Sequence, residues 1–281
     1  MTKQQAVLSS ETNARFRAAV QRLSGIILPD SKVAMVEQRL RRRVLDTGQK
    51  DMEAYLQALM AGRLGAAEME MAIDLITTNT TSFFRENAHF DYLRDILLPQ
   101  MVTGHNDSAP RLKLWSAACS EGAEAFTLAM VMAQAQRSGL RFDWAVLGTD
   151  ISRSMVEKAR AAIYAADQVS ALNTDLLTRY IMAAVNPAEK EQVRIVPELR
   201  QKVRFRQMNL MDPSYPIDRD IDVIFLRNVL IYFNAEDRAH VVRRLQSHLR
   251  PGGYLFVGHS EGMSVKADGM ERIRPTIFRK M

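Results

Sequence analysis

Residues 112–137 read Leu-Lys-Leu-Trp-Ser-Ala-Ala-Cys-Ser-Glu-Gly-Ala-Glu-Ala-Phe-Thr-Leu-Ala-Met-Val-Met-Ala-Gln-Ala-Gln-Arg. A short apolar run ends at Ser116, small residues form a turn, and an apolar-rich segment over about 123–137 has the length of a helix rather than a strand. Working outward, the same texture recurs. Strands are expected at 144–149, 203–207, 222–226 and 254–258, with helices at 152–161 and 235–249. Short apolar runs alternating with helices predict an α/β fold: a doubly wound, mostly parallel sheet covered on both faces.

Upstream the pattern is helical throughout. FRAAVQRL, SKVAMVEQRLRRRVL, MEAYLQALMAG and AAEMEMAIDLI are separated by breaks at Leu28-Pro29-Asp30, Thr47-Gly48 and Gly62 to Gly65, and a further helix is expected over 88–101. Val33, Val36, Leu40 and Leu45 are expected to face a core. The reading is a small all-α domain with its linker over residues 1–90 and an α/β domain over 91–281. One stretch breaks the alternation: LNTDLLTRYIM followed by a β-rich VRIVPELRQKVRF predicts an inserted small antiparallel β-subdomain at about 165–204.

Of 281 residues, 47% are hydrophobic, ample for a core of this size. No apolar run approaches the roughly 20 residues of a membrane helix, and the N-terminus lacks the zones of a signal peptide, so a cytoplasmic protein without membrane insertion is expected. The single cysteine, Cys119, excludes an intrachain disulfide and a multi-thiolate zinc site; no metal is expected. The formal charge of +6 favours acidic partners without naming one. Lys32, Arg39, Arg41, Arg42 and Arg43 crowd one amphipathic helix, which reads as a solvated face or as a docking surface for an acidic protein or nucleic acid.

In open α/β sheets ligands sit at the carboxyl ends of the strands. The first turn, Ala117 to Glu124, lets backbone approach a ligand, and Glu124 is placed to bind an ammonium group unless it is simply solvated. The dinucleotide signature G-x-G-x-x-G is absent, so a cationic ligand without phosphates suits this turn. Asp150 at the tip of the second strand suits ribose hydroxyls, or caps the helix near Ser152. Asn209-Leu210-Met211-Asp212 offers groups for an adenine edge or a turn before Pro213. After the fourth strand, Arg227 needs a partner if buried, and Asn228 stands beside it, either as a site or as a structural pair. Pro251-Gly252-Gly253 reads as a turn, and His259 as an edge histidine without metal companions.

Between the two domains lies Thr77-Thr-Asn-Thr-Thr-Ser-Phe-Phe-Arg-Glu86. A helix cap at Thr81 or Ser82 accounts for only one of its polar side chains. The rest implies a site, with Phe83 and Phe84 packing and the polar half facing a ligand.

Together these segments resemble one family, the CheR chemoreceptor glutamate methyltransferases. The matches are TTNTTSFFRE, WSAACSEGAEAFTLAM, GTDIS, NLMD, DVIFLRNVLIYF and LRPGGYLFVGHSE, in family order over roughly residues 20–280. The resemblance implies an all-α N-terminal domain, a methyltransferase sheet that binds S-adenosyl-L-methionine and releases S-adenosyl-L-homocysteine, and a β-subdomain inserted where the alternation breaks. It implies that Asn79, Thr81 and Arg85 reach the cofactor, that Glu124 meets its amino group and that Asp150 holds its ribose. Asn209 and Leu210 would line the adenine, Asn228 and Val229 would close the pocket, and Arg85 and Tyr232 would orient the substrate.

The first-strand turn departs from the family's G-C-S-T-G-E-E-P-Y-S at Ala118, Glu121, Ala123 and Ala125. The stretch Ala183-Ala184-Val185-Asn186 lacks the extra glycines of members that dock on a receptor's terminal pentapeptide, so pentapeptide-independent action is expected. The end at Met281 implies that the tandem-repeat extensions of some relatives are absent. Expected partners are the cytoplasmic signalling helices of transmembrane chemoreceptors, met by a monomer through the basic helix. The rival readings are a nucleic-acid methyltransferase, disfavoured by the lack of a stacking platform beside the basic run, and a non-catalytic cofactor-sensing adaptor.

Overall fold

A computed structural model describes residues 8–103, 109–184, 186, 191–265 and 268–281. It divides into two compact units. One comprises the chain up to Thr78 with Asn209–Met211 and Tyr232–Asp237; the other comprises the remainder.

The first unit is helical: α1 (Ser10–Ser24), α2 (Val33–Asp46), α3 (Met52–Met60) and α4 (Ala66–Ile76). Ser9 caps α1 by accepting from the Thr12 N–H, and Asp51 caps α3 by accepting from the Ala54 N–H. Gly25 ends α1 at φ +75°, and a Cβ there would collide with the Phe233 ring, so both conformation and space require glycine. Phe16, Val20, Val36, Leu40, Tyr55, Leu56 and Ile76 form the core. The apolar stripe of α2 runs through Val36, Leu40 and Val44; Leu45, expected inside, is 74% exposed because it falls one residue off the helical spacing.

The second unit opens with α5 (Ala88–Tyr92), a π-turn over Leu93–Leu97 and α6 (Leu98–Val102). These replace the single regular helix expected over 88–101. Pro99 has no N–H to return to the Asp95 carbonyl, which accounts for the irregular turn. The helix also starts later than Thr81 or Ser82: its N-cap is Asn87.

The large sheet contains β1 (Arg111–Ala117), β2 (Asp143–Asp150), β6 (Val203–Gln207), β7 (Ile221–Leu226), β8 (Leu249–Val257), β9 (Met270–Arg274) and β10 (Ile277–Lys280). Its order is β6-β2-β1-β7-β8-β10-β9, parallel as far as β8, with β10 antiparallel to both neighbours. The main crossover helices are α7 (Ala123–Arg137), α8 (Arg153–Ala161) and α11 (Ala235–His248). Every residue of β7 is buried, as a central parallel strand covered on both faces requires.

The fold is the doubly wound class the alternation predicts, with two differences. β8 begins at Leu249 and runs through the expected turn at Pro251-Gly252-Gly253, absorbing it as a register irregularity against β7. The hairpin β9–β10 is an addition: its charged residues (MERIR, IFRK) hide the strand pattern, as suits the edge of a sheet.

The insertion forms a second sheet, β3 (Ile163–Ala165), β4 (Ile181–Ala183) and β5 (Gln192–Ile195), antiparallel in the order β3-β5-β4, with α9 (Thr174–Tyr180) between β3 and β4. The segment expected to be β-rich contains α10 (Pro197–Lys202), which Pro197 starts at a position where its missing N–H costs nothing. The following VRF belongs to the large sheet. Val185, on which the pentapeptide expectation partly falls, lies outside the described residues.

Candidate functional site

The strand order reverses at β1, whose last residue Ala117 pairs with Thr149 of β2 and Leu226 of β7. The loops after β1, β2 and β7 therefore open at one place, the switch point where α/β sheets bind ligands.

After β1 the chain makes three left-handed turns in five residues: Ala118 (φ +58°), Ser120 (φ +52°) and Gly122 (φ +91°). Only the last is a glycine, so Ala118 and Ser120 hold strained backbone that surrounding bonds must fix. They are present. The Cys119 N–H donates to Thr149 O at 2.9 Å and the Ser120 N–H to Asp150 Oδ2 at 2.7 Å. Asp150 Oδ1 accepts from the Ser152 N–H at 2.9 Å, while the cap of α8 is Ser152 itself, accepting from Met155. Asp150 thus acts as a strand-tip carboxylate, 6% exposed, and not as the helix cap. Burial pushes the Cys119 thiol far above its ordinary pKa, so it is no nucleophile.

Glu124, second residue of α7, accepts from Ser116 Oγ at 2.7 Å on Oε1 and from Arg227 Nε at 2.7 Å on Oε2. Arg227 follows β7 with a side chain 1% exposed. Its Nη1 reaches His89 Nδ1 at 3.0 Å and Glu86 Oε2 at 3.4 Å, and its guanidinium lies 5.0 Å from the Phe90 ring centroid and 5.4 Å from that of Phe225.

An arginine only donates, so His89 Nδ1 must accept; its proton is then on Nε2, which donates to Thr276 Oγ1 at 2.8 Å. Burial, reinforced by the Arg227 charge, drives the His89 pKa down to about 4, so the ring is neutral at physiological pH. Glu86, His89 and His259 place ligand atoms within 4.8 Å of one another, but Arg227 occupies the His89 lone pair and supplies its own positive charge. That arrangement is built for hydrogen bonding rather than a metal ion.

Asn228 stands at φ +59°, a conformation asparagine tolerates, and its Nδ2 donates to Glu86 Oε1 at 3.0 Å. Its backbone is held by Glu261, a carboxylate 1% exposed that accepts from the N–H groups of Asn228 (2.9 Å), Leu230 (2.7 Å) and Gly258 (2.7 Å). Burial raises the Glu261 pKa against the pull of those N–H groups. Val229 beside it is half-buried.

Among the linker residues, Asn79 O accepts from Ser120 Oγ at 2.7 Å. Thr81 is half-buried, and Arg85 Nη1 donates to Thr80 O at 2.9 Å. The adjacent Arg85 and Glu86 bond to different partners, Arg85 to Thr80 O and Glu86 to Arg227 and Asn228. Phe83 is buried edge-to-face on Tyr164 at 4.9 Å, and Phe84 packs on Phe90.

The structure therefore gathers Asn79, Glu124, Asp150 and Asn228 around the ends of β1, β2 and β7. Asn209, Leu210 and Tyr232 belong to the helical unit, where Asn209 Nδ2 donates to Leu23 O at 2.6 Å and Tyr232 O accepts from the Ile27 N–H at 2.8 Å.

The basic helix needs a correction. Arg39 donates to the carbonyls of Leu75, Ile76 and Thr77, closing the C-terminus of α4, and Arg43 grips Glu68 at 2.9 and 2.5 Å. Two of the five cations are thus tied to partners within their own unit, although Arg39 itself stays exposed; Lys32, Arg41 and Arg42 face solvent.

Sequence reasoning missed Glu86, His89 and Glu261. A buried arginine at a strand end calls for acids elsewhere in the chain, and the acid beside Arg85 was the nearest signal. Glu261 sits three residues beyond a glycine at a strand tip, a spacing that suits a turn closed by a carboxylate.

Comparison with known proteins matches residues 12–77 to a family model described as the CheR methyltransferase all-alpha domain, and residues 79–278 to the CheR methyltransferase SAM binding domain. The chemotaxis protein methyltransferase of Salmonella typhimurium is 37% identical over 90% of this chain and 85% of its own length. That of Vibrio parahaemolyticus is 34% identical over 98% of both chains, and that of Borreliella burgdorferi 33% identical over 91% and 89%.

Proposed function

This chain belongs to the CheR methyltransferase family, and we propose that it esterifies the γ-carboxylates of glutamates on the signalling helices of chemoreceptors. S-adenosyl-L-methionine supplies the electrophilic methyl group and leaves as S-adenosyl-L-homocysteine. The observation that carries the reading is the sign of the strand-end charge: Glu86 and Glu124 share a single buried guanidinium, Arg227, and Asp150 adds a third carboxylate at the tip of β2, held by backbone N–H groups. Such a rim suits an ammonium-bearing nucleoside and repels phosphates, which also disfavours a nucleic-acid substrate at the reacting centre.

The residues fit the cofactor. Glu124, anchored by Ser116 and Arg227, is assigned to its amino group, and Asp150, fixed by two backbone N–H groups, to its ribose. Asn79, Thr81, Asn228 and Val229 are assigned to the same ligand, and Asn209 and Leu210 to its adenine.

A glutamate acceptor is ionised at neutral pH, its ordinary pKa being roughly 4.3, so no residue need remove a proton. The chain's task is to bind, orient and exclude water. Arg85 and Tyr232 are assigned to orienting the acceptor carboxylate, Arg85 through a planar fork whose hold must stay light enough to leave the nucleophile reactive. Lys32, Arg41 and Arg42 are the cations available for docking on acidic receptor helices. Action independent of a receptor's terminal pentapeptide remains part of the proposal.

The test is transfer of radiolabelled methyl to receptor-containing membranes, with and without the terminal pentapeptides. Label released by mild base as methanol is expected from both. Base-stable label, label in RNA, or tight cofactor binding without transfer would sink the proposal.

A further inference from the structure

We propose that Glu86 is a charge-balancing residue: it offsets Arg227, so that Glu124 keeps a net negative charge for a cationic ligand group while Arg227 holds it in place. The inference rests on the methyl-donor reading of the strand ends. A carboxylate pinned 2.7 Å from a guanidinium is half of a neutral pair, and a neutral pair attracts an ammonium only weakly. Arg227 cannot be dispensed with, because it is what ties the end of β7 to the start of α7. The chain resolves the conflict with a second carboxylate on the far side of the same guanidinium, Glu86 Oε2 at 3.4 Å from Nη1.

Three observations support this role. The side chains of Glu86, Glu124 and Arg227 are 14%, 10% and 1% exposed, so water screens their charges little. Glu86 is placed by bonds of its own, from Asn228 Nδ2 at 3.0 Å and the His259 N–H at 3.4 Å, and is therefore not a loose counter-ion. Burial works against its charge, but Asn228 and Arg227 hold its carboxyl below the ordinary range, so it is ionised at neutral pH. His89, the other group on Arg227, is neutral there. Two carboxylates against one guanidinium leave one negative charge, the complement of a single ammonium group.

The variant Glu86→Gln removes the charge and keeps an oxygen for Asn228 and the His259 N–H. Binding of S-adenosyl-L-homocysteine and of 5′-methylthioadenosine, the same nucleoside without the amino acid, is measured by calorimetry at about pH 8. The amino-acid ligand is expected to weaken roughly tenfold, the effect of a unit charge acting over several ångströms in a protein, with methylthioadenosine unchanged. Glu86→Asp, which keeps the charge, should retain most of the discrimination and serves also if the glutamine variant does not fold. Equal weakening of both ligands, or of neither, overturns the proposal in favour of a structural role. A wild-type chain that binds neither ligand instead overturns the methyl-donor reading beneath it.

Discussion

Each unit of this protein sets an arginine against a buried glutamate, and the two pairs differ in what surrounds them. In the helical unit Arg43 faces Glu68 with both nitrogens of its fork, and Tyr55 Oη donates to the same carboxylate at 2.7 Å. Arg43 Nη1 also pairs with Asp46 at 2.9 Å, but Asp46 is 40% exposed and screened by water, and the Glu68 carboxylate is saturated by Arg43 and Tyr55. In the α/β unit Arg227 faces a neutral histidine and two carboxylates, both shielded from water with side chains 14% and 10% exposed. An arginine–glutamate pair is therefore no sign of a site in itself; an excess of shielded carboxylates at the carboxyl ends of strands is.

The sharpest way to break this comparison is at Asp150. Asp150→Ala should weaken cofactor binding more than about a hundredfold and cost roughly 1–3 kcal/mol through the two N–H groups left without a partner. Calorimetric titration beside urea denaturation separates the effects, and retained binding would remove Asp150 from the site.

Glu68→Ala should do the reverse, lowering stability by roughly 1–3 kcal/mol as Tyr55 loses its acceptor and Arg43 keeps only Asp46, with cofactor affinity unaltered. The same pair has a pH signature. The hydrogen bond from Arg43 outweighs burial and holds the Glu68 carboxyl below its ordinary 4.5, so its contribution is complete above that value and is lost as pH falls through the lowered folded pKa. Acid unfolding followed by circular dichroism should show this loss in the wild type and not in Glu68→Ala.

Arg39 and Arg42 lie on one helix and divide the same way. Arg39→Ala, which frees three carbonyls at the end of α4, is expected to cost about 1–2 kcal/mol. Arg42→Ala, whose side chain is 89% exposed, should leave the melting temperature in place and reduce binding to receptor fragments. Equal melting shifts would undo the division into structural and docking cations. The smallest expected effect is at the strained turn: Ala118→Gly should relieve φ +58° and raise stability by about 1 kcal/mol, read as a melting temperature higher by about 2–4 °C.

The α/β class and its main helices were legible in the sequence because periodicity records burial directly. β7 is apolar at every position after Asp222, and α7 buries so much of its surface that Ala, Leu, Met and Val recur throughout. Glu124, Asp150 and Arg227 were legible because charged residues at the ends of apolar runs have no reason to be there unless something holds them. The β9–β10 hairpin and α10 were not, since charged edge strands and short helices carry weak patterns. Arg39 and Arg43 were equally opaque: periodicity puts a cation on a face but does not say whether a neighbouring helix ends beneath it.

Local rules of spacing and polarity thus determined the layers of this protein and the strand ends where its polar groups collect. Which acid answers which cation was decided only by the tertiary structure. Glu86 and Arg227 are 141 residues apart in sequence. Their pairing depends on a left-handed turn at Glu86, a reversal of strand order at β1 and the buried carboxylate of Glu261 holding Asn228. Electrostatic energy depends on distance and burial, and a linear pattern specifies neither for residues that far apart.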